Sequence, residues 1–298
     1  MISSTDVTCK PVTRAAATYT TAAHLFKEAN TMNITEILMI LASKGYPAKE
    51  HDVVKNGVTC KGIMLKTGMN ANPVFYLNDI LCENDTEEKV ANRIIAFYKS
   101  SPIPPIKPDV LKDRKWVLDH LTIALQRTSD EDLVKKATTF DGIEQYLLLI
   151  DKNDDGAFSI KVTAPLLKNI GITESDAWDV ADIHLINSFE IKSLGSVLGD
   201  AIFDTFPGED RVGLHVVTTK NKIKGAAAIL WHGALKEFAN KYDTDKLVII
   251  PSSVHEMLII PYDGTQDINE FSALVKEVNA SQVPPEEQLA DQAYLITV

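Results

Sequence analysis

Apolar residues recur along this chain with two periods, and the switches between them outline its elements. Asn33-Ile-Thr-Glu36 reads as a capping box: the Asn side chain can accept an orphan helix N–H and Glu36 can reach back to the cap. A helix to about Ser43 follows and ends at Lys44-Gly45-Tyr46-Pro47. From His51 to Leu65 two β-compatible runs flank Asn56-Gly57, a pair that takes the positive φ of a tight hairpin turn. Pro73 to Leu77 is a third short strand, and Val90, Ile94, Phe97 and Tyr98 return to helical spacing across Thr86 to Lys99. The pattern is a compact αβββα unit.

Ser101 to Pro108 then places four prolines in eight residues, which removes backbone donors and favours extended chain. Beyond it the pattern predicts a helix around Asp113 to Gln126, a short one after Asp130, and a buried strand over Gln145 to Ile150. Asp151 to Gly156 turns that strand back into Ala157 to Thr163. Glu174 to Ile186 carries Ala177, Trp178, Ala181 and Leu185 on one helical stripe, and another helix is expected over Lys192 to Phe203. The last section reads strand Gly213 to Thr218, turn Lys220 to Lys224, strand Ala226 to Leu230, helix His232 to Lys241, strand Leu247 to Ile250, strand His255 to Ile260 and helix Ile268 to Val278. Asp267 caps that final helix, whose apolar stripe is Ile268, Phe271, Leu274, Val275 and Val278.

Antiparallel hairpins with helices on one face define an α+β protein rather than a doubly wound sheet. The expected organisation is a flexible N-terminal extension over 1–31, an N-terminal α+β domain over 32–100, a Pro-rich linker over 101–108, a middle α+β domain over 109–210, and a C-terminal ββαββα domain with its tail over 211–298. The 1–31 stretch is rich in Thr, Ala and Ser and lacks an amphipathic period.

Charge narrows the partners. With 30 basic against 41 acidic residues the net charge is −11, and no Lys/Arg-rich block offsets it, so the reading excludes nucleic acid. No apolar run approaches the ~18 residues that span a bilayer, which argues against a membrane. Cys9, Cys60 and Cys82 are odd in number and widely spaced, so neither a disulfide framework nor a zinc knuckle is suggested and a reducing cytoplasm is the expected location. No cofactor is implied, because neither a G-x-G-x-x-G nor a G-K-S/T pattern occurs.

Two stretches carry candidate chemistry. Asp151-Lys-Asn153-Asp-Asp155-Gly156 has the D-x-N-x-D-G start of a calcium loop, making Asp151, Asn153 and Asp155 the candidate metal ligands. Its twelfth position is Val162, where a bidentate Glu belongs, and turn chemistry explains the same residues. Pro251-Ser252-Ser253-Val254-His255-Glu256 is the other. The second histidine of a zinc-peptidase helix is replaced by Ile259, and in a strand His255 and Glu256 point to opposite faces. Ser252 and Ser253 beside His255, with Glu256 or Asp263 as orienting acid, would instead suit nucleophilic chemistry, whereas the plainer reading has the serines capping a turn. His215, His232 and His255 share the last section as a potential metal trio, and Trp231 is read as a core cover.

Five stretches carry a resemblance: Asn56-Gly57-Val58 with Gly62-Ile63; Pro73 to Leu77; Thr218 to Ala228; Pro251 to Glu256; and Val278 to Tyr294. On these the chain resembles the family catalogued as domain of unknown function 5688, found in gut-associated Firmicutes, over about residues 33 to 298. The match is most specific at Pro251 to Glu256 and at the Pro-Glu-Glu tail. The family supplies no activity, cofactor or catalytic residue; it implies a bacterial, cytoplasmic protein. The residues themselves favour a non-enzymatic binding or protein-interaction module whose hairpin edges can accept a partner strand, the alternative being a hydrolase-like enzyme centred on the Pro251 to Glu256 turn.

Overall fold

The computed structural model describes residues 6–7, 32–67, 72–82, 84–100, 108–153, 156–198 and 213–298. The expected 1–31 extension, apart from Asp6–Val7, and the proline-rich 101–107 lie outside them. In chain order the strands are β1 (Asp6–Val7), β2 (Ala48–Glu50), β3 (Val53–Lys55), β4 (Val58–Cys60), β5 (Gly62–Leu65), β6 (Val74–Tyr76), β7 (Leu121–Arg127), β8 (Lys135–Ala137), β9 (Ile143–Asn153), β10 (Gly156–Lys161), β11 (Phe189–Ser193), β12 (His215–Thr219), β13 (Lys246–Ser253), β14 (Glu256–Pro261) and β15 (Tyr294–Thr297). The α-helices are α1 (Ile34–Ser43), α2 (Leu77–Ile80), α3 (Glu87–Ser100), α4 (Arg114–His120), α5 (Ala164–Asn169), α6 (Glu174–Ser188), α7 (Leu194–Leu198), α8 (His232–Asn240) and α9 (Ile268–Ser281). Several small antiparallel sheets interleaved with helices make this an α+β protein. Among the described residues no helix is long and apolar enough to cross a membrane.

The chain gathers into two compact units, the first comprising Met1–His120, Leu148–Ile172 and Pro284–Glu286, the second Leu121–Leu147, Thr173–Val283 and Glu287–Val298. In the first, the Asn33 side chain accepts the Glu36 N–H at 3.3 Å and starts α1 as its capping pattern predicts. Helices α1 and α3 bury Ile37, Leu41, Val90 and Ile94 against Ile63, Leu65, Phe75 and Leu77, one face of the β2–β5–β6 sheet and its continuation. Cys60, Val74 and Tyr76 form a smaller cluster with Val53 and Met64. Asn56 and Gly57 take φ of 52° and 75°, so the β3–β4 turn has the left-handed pair that Asn-Gly favours.

The second unit is built on a five-stranded sheet in the order β11-β12-β14-β13-β15. Val248, Ile250 and Ile260 on one face pack against Val275 of α9 and Ala293. Val217, Ile249 and Ile259, with opposite side-chain parity, are fully buried as well. A 3₁₀ segment, Gly225–Leu230, lies against β12 and β14. Helix α9 turns Val275 and Asn279 inward but leaves Leu274 and Val278 exposed, so its buried stripe is narrower than the five apolar positions predict.

Four expectations are corrected here. Ala226 to Leu230 is 3₁₀ helix, not strand, because its three alanines leave room for close backbone packing and carry no alternation that a strand needs. The predicted Asp113 to Gln126 helix stops at His120, whose Nδ1 bonds the Trp116 carbonyl at 2.7 Å; the run beyond it, with β-branched Thr122 and Ile123, is β7. Residues 189–193, placed partly in a helix, form β11 because they pair with β12. The short helix after Asp130 is replaced by β8. The tail supplies a strand, β15, which the periodicity did not reveal.

Candidate functional site

Strand β13 runs through the Pro-Ser-Ser sequence, and the reversal falls one step later, at Val254 and His255, between Ser253 and its pair partner Glu256. The register shifts between Pro251 and Ser253, so Ser252 is the extra residue of a β-bulge. This relocates His255 from the strand to the turn. Its ring and the Glu256 side chain are no longer bound by strand alternation, but they do not meet: Glu256 Oε1 accepts from the Ser252 hydroxyl at 3.3 Å.

His255 is gripped from four sides. Its Nδ1 accepts the Lys224 backbone N–H at 3.2 Å, its Nε2 lies 3.6 Å from Glu287 Oε1, and its carbonyl accepts the Thr218 hydroxyl at 2.8 Å. Its own N–H donates to Ser253 Oγ at 3.1 Å. A backbone N–H can only donate, so Nδ1 holds the lone pair and the ring proton sits on Nε2, toward the carboxylate. Neighbouring Val254 is fixed as firmly, its N–H donating to the Glu287 carbonyl at 2.8 Å and its carbonyl accepting from Ala226 at 3.4 Å.

Gly225 makes this convergence feasible. A Cβ there would collide with the Thr218 hydroxyl and lie 2.7 Å from Thr219 N and 2.8 Å from the His255 carbonyl. The requirement is for space, not for a glycine φ, which distinguishes Gly225 from Gly57. The preceding Lys222 and Lys224 take φ of 58° and 53°, a left-handed conformation in which non-glycine residues are strained.

The acid beside His255 is Glu287, which sequence reasoning missed: it lies 32 positions away in the tail, with no periodicity to join the two. Asp263 is bound by the Thr265 hydroxyl and N–H, at 2.6 and 2.8 Å, and these hydrogen bonds hold its carboxyl below the usual range. Ser253 bonds the backbone N–H of His255 and Ser252 bonds Glu256.

The histidine trio does not assemble. His215 Nδ1 bonds the Gly213 carbonyl at 2.8 Å and its ring packs on Phe238 and Tyr242, while His232 is exposed at the first turn of α8. Trp231 meets Phe189 edge-to-face at 4.9 Å. Asp151 sits in β9 with Oδ1 3.8 Å from His120 Nε2, Asn153 ends the same strand, and Asp155 lies outside the described residues. Among the described residues no three metal-ligating side chains come together. One buried carboxylate, Glu144, accepts from Gln126 at 2.7 Å and Ser129 at 2.8 Å beside Lys135. Burial alone would push it up, but these bonds outweigh burial and hold it below its ordinary range.

Fold and site together define an α+β protein whose most elaborate polar feature is a tertiary lock around a hairpin turn. The chain belongs to the family described as a family of unknown function, DUF5688, whose pattern matches residues 24–296. Comparison with curated proteins and with solved structures gives no match. Three of the stretches that carried the resemblance, Thr218 to Ala228, Pro251 to Glu256 and the Pro-Glu-Glu tail, meet at the Val254–His255 turn.

Proposed function

We propose that the chain is a non-enzymatic protein-interaction module of the bacterial cytoplasm that receives an extended partner segment along β15. The observation that carries this reading is the contrast between the two ends of the five-stranded sheet. Edge strand β11 bears Glu190 and Lys192, paired at 2.9 Å, charges of the kind that discourage strand addition. Edge strand β15, Tyr-Leu-Ile-Thr, has neither charge nor proline, and Leu295 is 42% exposed. Strand addition draws affinity from main-chain hydrogen bonds and register from alternate side chains, and an uncharged edge supports both.

The His255 lock contributes by placing that edge. Glu287 is held by Val254 and faces His255, Arg127 Nε donates to the Gln288 carbonyl at 3.0 Å, and Ser272 accepts the Ala293 N–H at 3.0 Å. The tail therefore arrives at β13 along a fixed path. A hydrolase needs an imidazole nitrogen able to take a serine proton, and here Nδ1 is committed to an amide while Nε2 faces a carboxylate. Three widely spaced cysteines, an odd number, suit a reducing compartment.

The test is affinity capture from a bacterial lysate with the full chain and with Leu295→Lys, whose stability should stay within ~0.5 kcal/mol of the parent because the site is exposed. A protein held by the parent and lost from the variant is the expected result. Identical capture by both chains overturns the reading.

A further inference from the structure

We propose that His255 is a proton-operated exchange point: protonating its ring breaks the hydrogen bond from the Lys224 amide and tightens the pairing with Glu287, loosening the chain at Lys224 while the tail stays anchored. The inference goes beyond strand addition at β15 and does not depend on it.

The two ring nitrogens of His255 face different partners. Nδ1 accepts the Lys224 N–H at 3.2 Å, a bond available only while Nδ1 is unprotonated. A second proton turns Nδ1 into a donor facing a donor, so the Lys224 contact becomes repulsive. The same proton makes the ring a cation 3.6 Å from the Glu287 carboxylate, in a partly exposed setting where the ring is 37% accessible. One partner is lost as the other is strengthened, and histidine is the side chain that makes this change near neutrality.

The groups around the ring fit this exchange. Charged residues on the surrounding elements are Glu287 and the buried Glu286 on the tail, Glu256 at the start of β14, and Lys220, Lys222 and Lys224 on the loop. Glu256 accepts from Ser252, and Lys220 Nζ donates to the Asn187 carbonyl at 2.8 Å. Lys224 is left-handed, so losing the His255 contact removes one of the ties that hold a strained backbone there, while Lys222 keeps its N–H on the Thr219 carbonyl at 2.8 Å and Ile223 its N–H on Asn221 Oδ1 at 3.0 Å. By contrast, the tail keeps a second tie that titration leaves alone, the Val254 N–H on the Glu287 carbonyl.

The experiment is an NMR titration of the full chain between about pH 8 and pH 5, the span in which histidine ordinarily changes charge, following the His255 ring and the exchange protection of the Lys224 amide, corrected for intrinsic rate. As the ring protonates, Lys224 protection should fall about tenfold, the worth of one hydrogen bond, while Val254 protection holds. In His255→Asn, whose side-chain oxygen takes the place of Nδ1 without a proton to gain, Lys224 protection should be flat over the same range. A ring that protonates without loss of Lys224 protection, a ring that stays neutral throughout, or an equal loss in His255→Asn overturns the proposal.

Discussion

The Asn56–Gly57 and Val254–His255 turns each reverse an antiparallel pair in two residues, but they are held by different means. The first draws its shape from its own dihedrals: Asn56 and Gly57 supply two positive φ values, and a Cβ on Gly57 would meet nothing within 4 Å. The second contains no positive φ and is shaped from outside, by Thr218, Lys224, Ala226 and Glu287. A turn encoded by its own residues shows in the sequence as a dipeptide. A turn encoded by its neighbours shows only when the chain is folded.

That contrast can be broken most severely at Gly225. Gly225→Ala places a methyl group against the Thr218 hydroxyl, the Thr219 amide and the His255 carbonyl, and should cost about 3 kcal/mol in chemical denaturation, with Gly225→Asn no better. Thr218→Val comes next: it keeps the shape but leaves the His255 carbonyl without its donor, an expected loss of about 2 kcal/mol by the same measurement. Gly57→Ala should cost only about 1 kcal/mol, the steric penalty of a left-handed alanine, and Gly57→Asn should recover most of it. A rescue by asparagine at 57 and none at 225 separates the glycine that supplies φ from the one that supplies space. Equal responses at the two positions would dissolve the comparison.

The same division explains what could be read in advance. The α1 cap at Asn33, the hairpin at Asn56–Gly57 and the Asp267 cap of α9, whose side chain accepts from Asn269 at 2.8 Å, all act within three residues and were legible. The 3₁₀ segment after Gly225 was not, since its packing against β12 depends on space left by another strand. Strand β11 has only five residues of mixed polarity and exists because β12 pairs with it. At the site, Ser252, Ser253, His255 and Glu256 could be chosen from residue type. Their connections could not: the bulge at Ser252 moves the turn by one step, and the carboxylate facing the ring comes from the tail.

The position of β15 has a consequence for synthesis. Strand β13 is paired on one side by β14, which follows it at once, but its other side waits for residues made about 50 positions later, a long-range closure of the kind that slows folding. While the ribosome works through α9 and the proline-bearing tail, Leu247 to Ile250 form an exposed apolar edge. A nascent chain stalled before Tyr294 would carry that edge uncovered, so residues 294–297 are the ones that keep β13 from pairing with another chain.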